Sequence, residues 1–270
     1  FNKKENKGIK EIFESTNSKT KNLPSYKIPS HFINGFLTVI FGGSTGIEVS
    51  TVVATATIGS VAHQKESFFK KYKVELIAAG IAAGITALFC SPIAGILFSL
   101  EVITKKASRA FFLTTIVSVL VTLGLLALLN EPPLFALKVA TWHYHAIPYF
   151  ILLGIIAGMH SVYLTKCVLF CKSQFAKIGV HYYKILFGVA ILSASLFFLP
   201  ELYGDGYHAI TQILYGTTKI ELTISYTLIL IGLLVLKPIV TSVTLASGGD
   251  GGVFAPSLFL GAFLGLFVAL

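Results

Sequence analysis

Read as a succession of apolar and polar positions, the chain consists of long hydrophobic runs joined by short polar links. The runs at residues 76–100, 110–130 and 251–270 hold no Asp, Glu, Lys or Arg. About 20 apolar residues in a helix cross a hydrocarbon layer of roughly 30 Å, so each is long enough for a membrane span. The charge-free runs at 28–47, 49–64, 185–200 and 222–236 are short or marginal for a full crossing and are punctuated by Gly or Pro. They predict helices that are tilted or that stop partway. The pattern as a whole predicts an all-α integral membrane protein, with residues 1–27 as a basic cytoplasmic segment and linker and residues 28–270 as the transmembrane domain.

Composition removes the soluble alternatives. Of 270 residues, 54% are hydrophobic and 12% charged, against roughly 45–50% and about 25% in an ordinary soluble domain. So few charges also exclude a nucleic-acid binder. The net charge of +9 changes this picture only through its placement. Eighteen of the 21 basic residues fall in four links: seven Lys from Lys3 to Lys27, four from Lys65 to Lys73, then Lys105, Lys106 and Arg109, then Lys166, Lys172, Lys177 and Lys184. The links 131–146 and 201–208 hold only Lys138. A path that alternates sides puts every basic link on one face, which the positive-inside tendency makes cytoplasmic. With the Lys-rich start this points to a multi-pass protein of a bacterial inner membrane. No cleavable signal pattern opens the chain. It begins without Met and stops in an apolar run, so a segment of a longer protein is expected.

Candidate chemistry outside the glycine clusters is sparse. Cys90, Cys167 and Cys171 form no disulfide framework, and Cys167 and Cys171, four apart on a predicted helix with no nearby His, make a poor metal site. His143, Tyr144 and His145 beside Trp142 read as an interfacial aromatic cluster. Gly80 with Gly84, and Gly154 with Gly158, have the small-xxx-small spacing of closely packed membrane helices. No metal or other cofactor is called for.

Two glycine clusters break the helical pattern. One is residues 41–50, Phe-Gly-Gly-Ser-Thr-Gly-Ile-Glu-Val-Ser; the other is residues 246–256, Ala-Ser-Gly-Gly-Asp-Gly-Gly-Val-Phe-Ala-Pro. In lipid, irregular backbone is tolerated only where protein buries it or it lines a cavity. Each cluster has the composition of a turn that opens a helix, and such a start leaves about four N–H groups without intrahelical partners and carries roughly +0.5 of an elementary charge. Two such starts aimed at one point make an anion site built from amides rather than from Lys or Arg. Desolvating a bare ion costs on the order of 20 kcal/mol in an idealised low-dielectric medium, so several donors are needed. Glu48 is the only charge between Lys27 and Lys65. An acid buried at membrane depth is a functional candidate. At a helix start its carboxylate competes for the place of a transported anion, and on protonation it leaves that place and carries a proton.

With these residues the chain resembles the CLC family of chloride channels and chloride/proton exchangers. The family's Gly-x-Glu-Gly-Pro segment corresponds to Gly46-Ile47-Glu48-Val49-Ser50, and its Gly-x-Phe-x-Pro segment to Gly252-Val253-Phe254-Ala255-Pro256. The stretch from Ser91 and Pro92 to Glu101 and Val102 resembles the family's segment between them. The resemblance implies a homodimer with one pore per subunit, tilted and re-entrant helices in an inverted repeat, and chloride as the transported ligand. It implies anion coordination by backbone around Gly46, Ile47, Glu48, Val49, Gly252, Val253, Phe254 and Ala255, with Glu48 as the gate. The family's pore-serine loop would precede Phe1 and its pore tyrosine would follow Leu270. Val49 and Ser50 stand where the family has Gly-Pro, and Ile47 where it has a basic or polar residue. Exchangers of the family carry a second acid at the position of Val102, next to Glu101, while many of its passive channels have Val there. The sequence reading therefore favours a passive chloride channel gated by voltage or pH, with the chloride/proton antiporter as its alternative. The apolar stretches 93–100 and 111–129 are the expected dimer interface. A non-transport reading, an intramembrane hydrolase using Ser44 or Ser247 with His160, finds no base at helical spacing from either serine. No phosphate-binding loop with a following Lys supports an ATP-driven pump.

Overall fold

The computed structural model describes residues 8–18, 20–65, 70–103, 108–135, 143–215 and 224–269. Trp142, Lys105, Lys106, Lys138 and Leu270 lie outside these residues, so the expectations attached to them have no structural counterpart here. Within them the regular structure is helical: α1 (Ile9–Thr16), α2 (Lys27–Ile40), α3 (Glu48–Lys65), α4 (Lys73–Phe89), α5 (Pro92–Ile103), α6 (Arg109–Leu129), α7 (Ile147–Lys177), α8 (His181–Phe198), α9 (Tyr207–Tyr215), α10 (Ile224–Ser247) and α11 (Phe254–Ala269). The chain divides into two compact units, Phe1–Asn34 with Glu48–Ala136, and Gly35–Ile47 with Leu137–Leu270. Helix α2 runs from the first into the second.

In the first unit α4 packs against α3, α5 and α6. Its core holds Val52, Val53 and Ala56 of α3, Ile77, Ala78, Ile81 and Ile85 of α4, and Phe111 of α6, joined by Ile12 of α1 and by Leu23. Small residues bring the backbones together, as the spacing of Gly80 and Gly84 predicts: a Cβ on Gly80 would lie 2.2 Å from the Thr55 carbonyl oxygen, and one on Gly84 2.7 Å from Thr55 Oγ1. The run at 76–100 is not a single span. Cys90 adopts left-handed backbone (φ 49°), Ser91 follows, and Pro92 opens α5 at a position where its missing N–H costs nothing. Helices α4 and α5 fold back on one another, Gly95 meeting Ala82 and Thr86. Ser108 starts α6 by accepting the Phe111 N–H at 3.0 Å, and Asn130 ends it in left-handed backbone.

In the second unit α10 is the central helix, flanked by α7, α8 and α11. More than half of its most apolar stretch is buried, whereas little of α6, α7 or α8 is. These last three expose Leu120, Met159 and Phe187 among many large apolar side chains, as helices do whose solvent is lipid. Among the described residues four helices are long and apolar enough to cross a membrane: those at Arg109–Leu129, Tyr144–Lys177, His181–Phe198 and Tyr226–Ser247. The longest of them, α7, opens at Ile147, directly after the link expected at residues 131–146. Among the described residues nothing lies within 4 Å of a Cβ added at Gly154 or Gly158 on this helix, so the close packing expected of them is not made there. Helix α11 occupies only Phe254–Ala269 of the run at 251–270 and belongs with the shorter apolar helices.

Pro238 lies inside α10. A proline inside a helix removes one N–H and leaves the carbonyl four residues earlier without its partner. That carbonyl belongs to Leu234, and His160 Nε2 of α7 stands 3.0 Å from its oxygen. Tyr163 donates to the neighbouring Val235 oxygen at 3.0 Å.

Candidate functional site

The two glycine clusters meet inside the second unit. Helices α2 and α10 each run into a glycine of positive φ, Gly42 at 84° and Gly248 at 112°, a conformation open to residues without a Cβ. The next glycine turns its N–H back onto the helix just ended, Gly43 onto the Thr38 oxygen at 2.8 Å and Gly249 onto the Thr244 oxygen at 2.9 Å. The strands of chain that follow are joined by an antiparallel bridge between Gly46 and Gly252. Gly46 donates to the Gly252 oxygen at 3.3 Å and Gly252 to the Gly46 oxygen at 3.1 Å. Thr45 Oγ1 adds a third bond to the Gly252 oxygen at 2.8 Å.

A helix begins two residues beyond each side of this bridge, α3 at Glu48 and α11 at Phe254. The N–H groups of Gly46 and Gly252 are thus committed to one another, while those of Ile47, Val253, Phe254 and Ala255 belong to the segments that leave the bridge. Pro256, third residue of α11, lies in the first turn, where no N–H is required.

Hydroxyls surround the junction. Ser44, fully buried, has its Oγ 3.4 Å from Thr241 Oγ1, and Ser247 Oγ donates to the Thr244 oxygen. His160 Nε2 of α7 is engaged with the Leu234 oxygen. Among the described residues no cluster of His, Cys, Asp or Glu could hold a metal.

Within the first unit Glu48 is the opening residue of α3 and is 2% exposed. A carboxylate there is favoured by the helix dipole. Val49 and Val102 both pack against the core of that unit, whereas Glu101 beside Val102 is exposed.

One buried charge went unnoticed in the sequence. Lys237 of α10 has no exposed surface. Its ammonium donates to the oxygens of Leu202 and Gly204 at 3.1 Å each and lies 4.7 Å from the centre of the Phe259 ring of α11. Two carbonyls and an aromatic face thus surround it. The amine therefore pins the link after α8 to α10 and α11, next to a cavity of about 510 Å³ lined by Glu201, Gly204, Asp205, Gly206 and His208 among others. The signal was available: Lys237 is the only Lys or Arg from residue 220 to the end.

A family model described as voltage gated chloride channel matches residues 1–270. The chain belongs to the CLC family of voltage-gated chloride channels. It is similar to proteins described as voltage-gated ClC-type chloride channel ClcB, at 26% identity over 234 residues in Escherichia coli O17:K52:H18 strain UMN026 and at 28% over 235 residues in Shigella boydii serotype 18. Each comparison covers 85% of this chain and 54% of the relative, so this CLC chain spans about half the length of the curated relatives it matches. Among solved structures it is similar to a CLC-type fluoride/proton antiporter, with a TM-score of 0.81 and 26% identity over 97% of this chain and 65% of that one. The all-α membrane fold expected from the hydrophobic pattern is that of this family.

Proposed function

We propose that the chain is the anion-carrying part of a CLC-type exchanger that moves chloride or a similarly small halide against protons. The observation that carries the anion part is the Gly46–Gly252 bridge, which joins two glycine turns directly ahead of two helix starts. Amide groups around Ile47, Glu48 and Val49 on one side, and around Val253, Phe254 and Ala255 on the other, supply fixed dipoles that replace the hydration of an anion without a buried cation. Glu48, peptide-bonded to Ile47, is the gate and the proton-carrying side chain.

Coupling to protons is favoured over passive conduction by the likeness to a fluoride/proton antiporter along nearly the whole chain. The sequence argument for a channel rested on Val102, and that side chain has a packing role in the core of the first unit that accounts for an apolar residue there. Exposed Glu101 offers a proton entry one position away. The passive reading keeps one support, the description of the ClcB relatives as voltage-gated channels. The working unit in this proposal is a homodimer in a bacterial inner membrane, joined through α5 and α6.

The test is flux from liposomes holding the full-length protein under an outward chloride or fluoride gradient, with internal pH recorded. Halide efflux is expected to drive protons uphill. Glu48→Gln is expected to keep halide flux and to lose both proton movement and the pH response. Halide flux without protons in the unmodified protein would return the passive reading, and no flux of either halide would overturn anion transport.

A further inference from the structure

The two glycine turns repeat one another in sequence and in bonding. Thr38-x-x-x-Gly42-Gly43-x-x-Gly46-Ile47 reappears 206 positions later as Thr244-x-x-x-Gly248-Gly249-x-x-Gly252-Val253. The main-chain bonds described on one side have their counterparts at that offset: Gly43 to Thr38 and Gly249 to Thr244, then Gly46 and Gly252 with each other. One further pair crosses between the copies. Ser44 N–H donates to Thr244 Oγ1 at 3.1 Å, and its equivalent, Asp250 N–H, donates to Thr38 Oγ1 at 3.1 Å. The threonine of each copy thus holds the turn of the other.

The methyl groups complete the exchange. A Cβ on Gly43 would lie 2.6 Å from Thr38 Cγ2 and 3.1 Å from Thr244 Cγ2; one on Gly249 would lie 2.8 Å from Thr244 Cγ2 and 3.1 Å from Thr38 Cγ2. Both glycines are therefore required for the two threonines to reach across. Each crossing bond ends two residues before a bridge glycine, so together with the bridge it fixes the distance and direction with which Ile47 and Val253 leave the junction.

We propose that Thr38 and Thr244 are paired positioning residues that set the register of the two glycine turns, and thereby the affinity for the carried halide. The proposal rests on the anion-transport reading above. It differs from a general packing role because it assigns the effect to the hydroxyl oxygens and predicts the same effect from two residues far apart in sequence.

Thr38→Val and Thr244→Val keep side-chain volume but remove the acceptor, stranding the Asp250 or Ser44 amide. In full-length protein in liposomes, each is expected to raise the half-saturating chloride or fluoride concentration about tenfold, the scale of one lost buried hydrogen bond, with maximal flux within about twofold. Thr38→Ser and Thr244→Ser retain the oxygen and are expected to stay within about threefold of the unmodified protein. The double valine variant should fall short of the product of the two single effects, because both break one register. Hydrogen exchange of peptides containing Ser44 or Asp250 reads the clamp without any transport: exchange should accelerate at Asp250 in Thr38→Val and at Ser44 in Thr244→Val. If a valine variant does not fold, Thr→Ala at the same position carries the same expectations. Wild-type half-saturation in both valine variants, or serine variants as impaired as valine, would overturn the proposal. Absence of halide flux in the unmodified protein would overturn the transport reading, and the exchange comparison would then decide the clamp alone.

Discussion

A Cβ on Gly251 would stand 2.4 Å from Thr45 Oγ1 and 2.8 Å from the Gly46 oxygen, so Gly251→Ala cannot be accommodated without parting the bridge. We expect it to cost about 1–3 kcal/mol, the usual range for overpacking a tight site, read as a lower midpoint of thermal unfolding in detergent, and to weaken halide binding. Gly261, inside α11 with nothing within 4 Å of an added Cβ, is the control. There Ala should be neutral or stabilising by up to about 1 kcal/mol, since glycine weakens a helix interior. The contrast also marks what single residues disclosed beforehand. Glu48 and the two glycine clusters stood out because each violates an apolar helical pattern. The pairing of Gly46 with Gly252 did not, because a hydrogen bond between positions 206 apart leaves no local trace, although the repeated Thr-x-x-x-Gly-Gly-x-x-Gly would have suggested that the two segments are equivalent. Lys237 is hard to place from sequence because its partners are backbone carbonyls, which composition does not reveal.

Helix α10 keeps a proline in its interior because α7 supplies the missing donor. If the bond from His160 to the Leu234 oxygen replaces the one Pro238 cannot make, then His160→Leu should destabilise the protein by about 1–3 kcal/mol, the cost of leaving a buried carbonyl unsatisfied. Pro238→Ala restores an N–H to that carbonyl, and in its background His160→Leu should cost about 1 kcal/mol less. Denaturant unfolding of the two single variants and the double variant measures the coupling; equal costs in both backgrounds would show that His160 acts by packing alone. Element lengths were legible where a run had clear ends, as with α6 between Ser108 and Asn130. They were misread where the break lay in backbone conformation rather than in charge. Cys90, an apolar residue in left-handed backbone, divides the run at 76–100. By contrast, the outer link expected at 131–146 ends where α7 opens, at Ile147.

The exposed faces of α5 and α6 carry Ile93, Leu97, Leu113 and Leu120, between 57% and 70% exposed. They lie on the stretches 93–100 and 111–129 where the dimer interface was expected. With Cys90, Cys167 and Cys171 replaced by Ser, a cysteine at Leu97 or Leu120 should cross-link two subunits in the membrane, whereas one at Phe187 on α8 should not; cross-linking at Phe187 alone would move the interface to the other unit. The bend at Cys90 also has a topological result. A single crossing over 76–100 would have put the lysines before α4 and Arg109 at the start of α6 on opposite sides of the bilayer. With α4 and α5 folded back on one another, an even number of crossings over this stretch would let one compartment hold the positive charge of both flanks, as the positive-inside tendency favours.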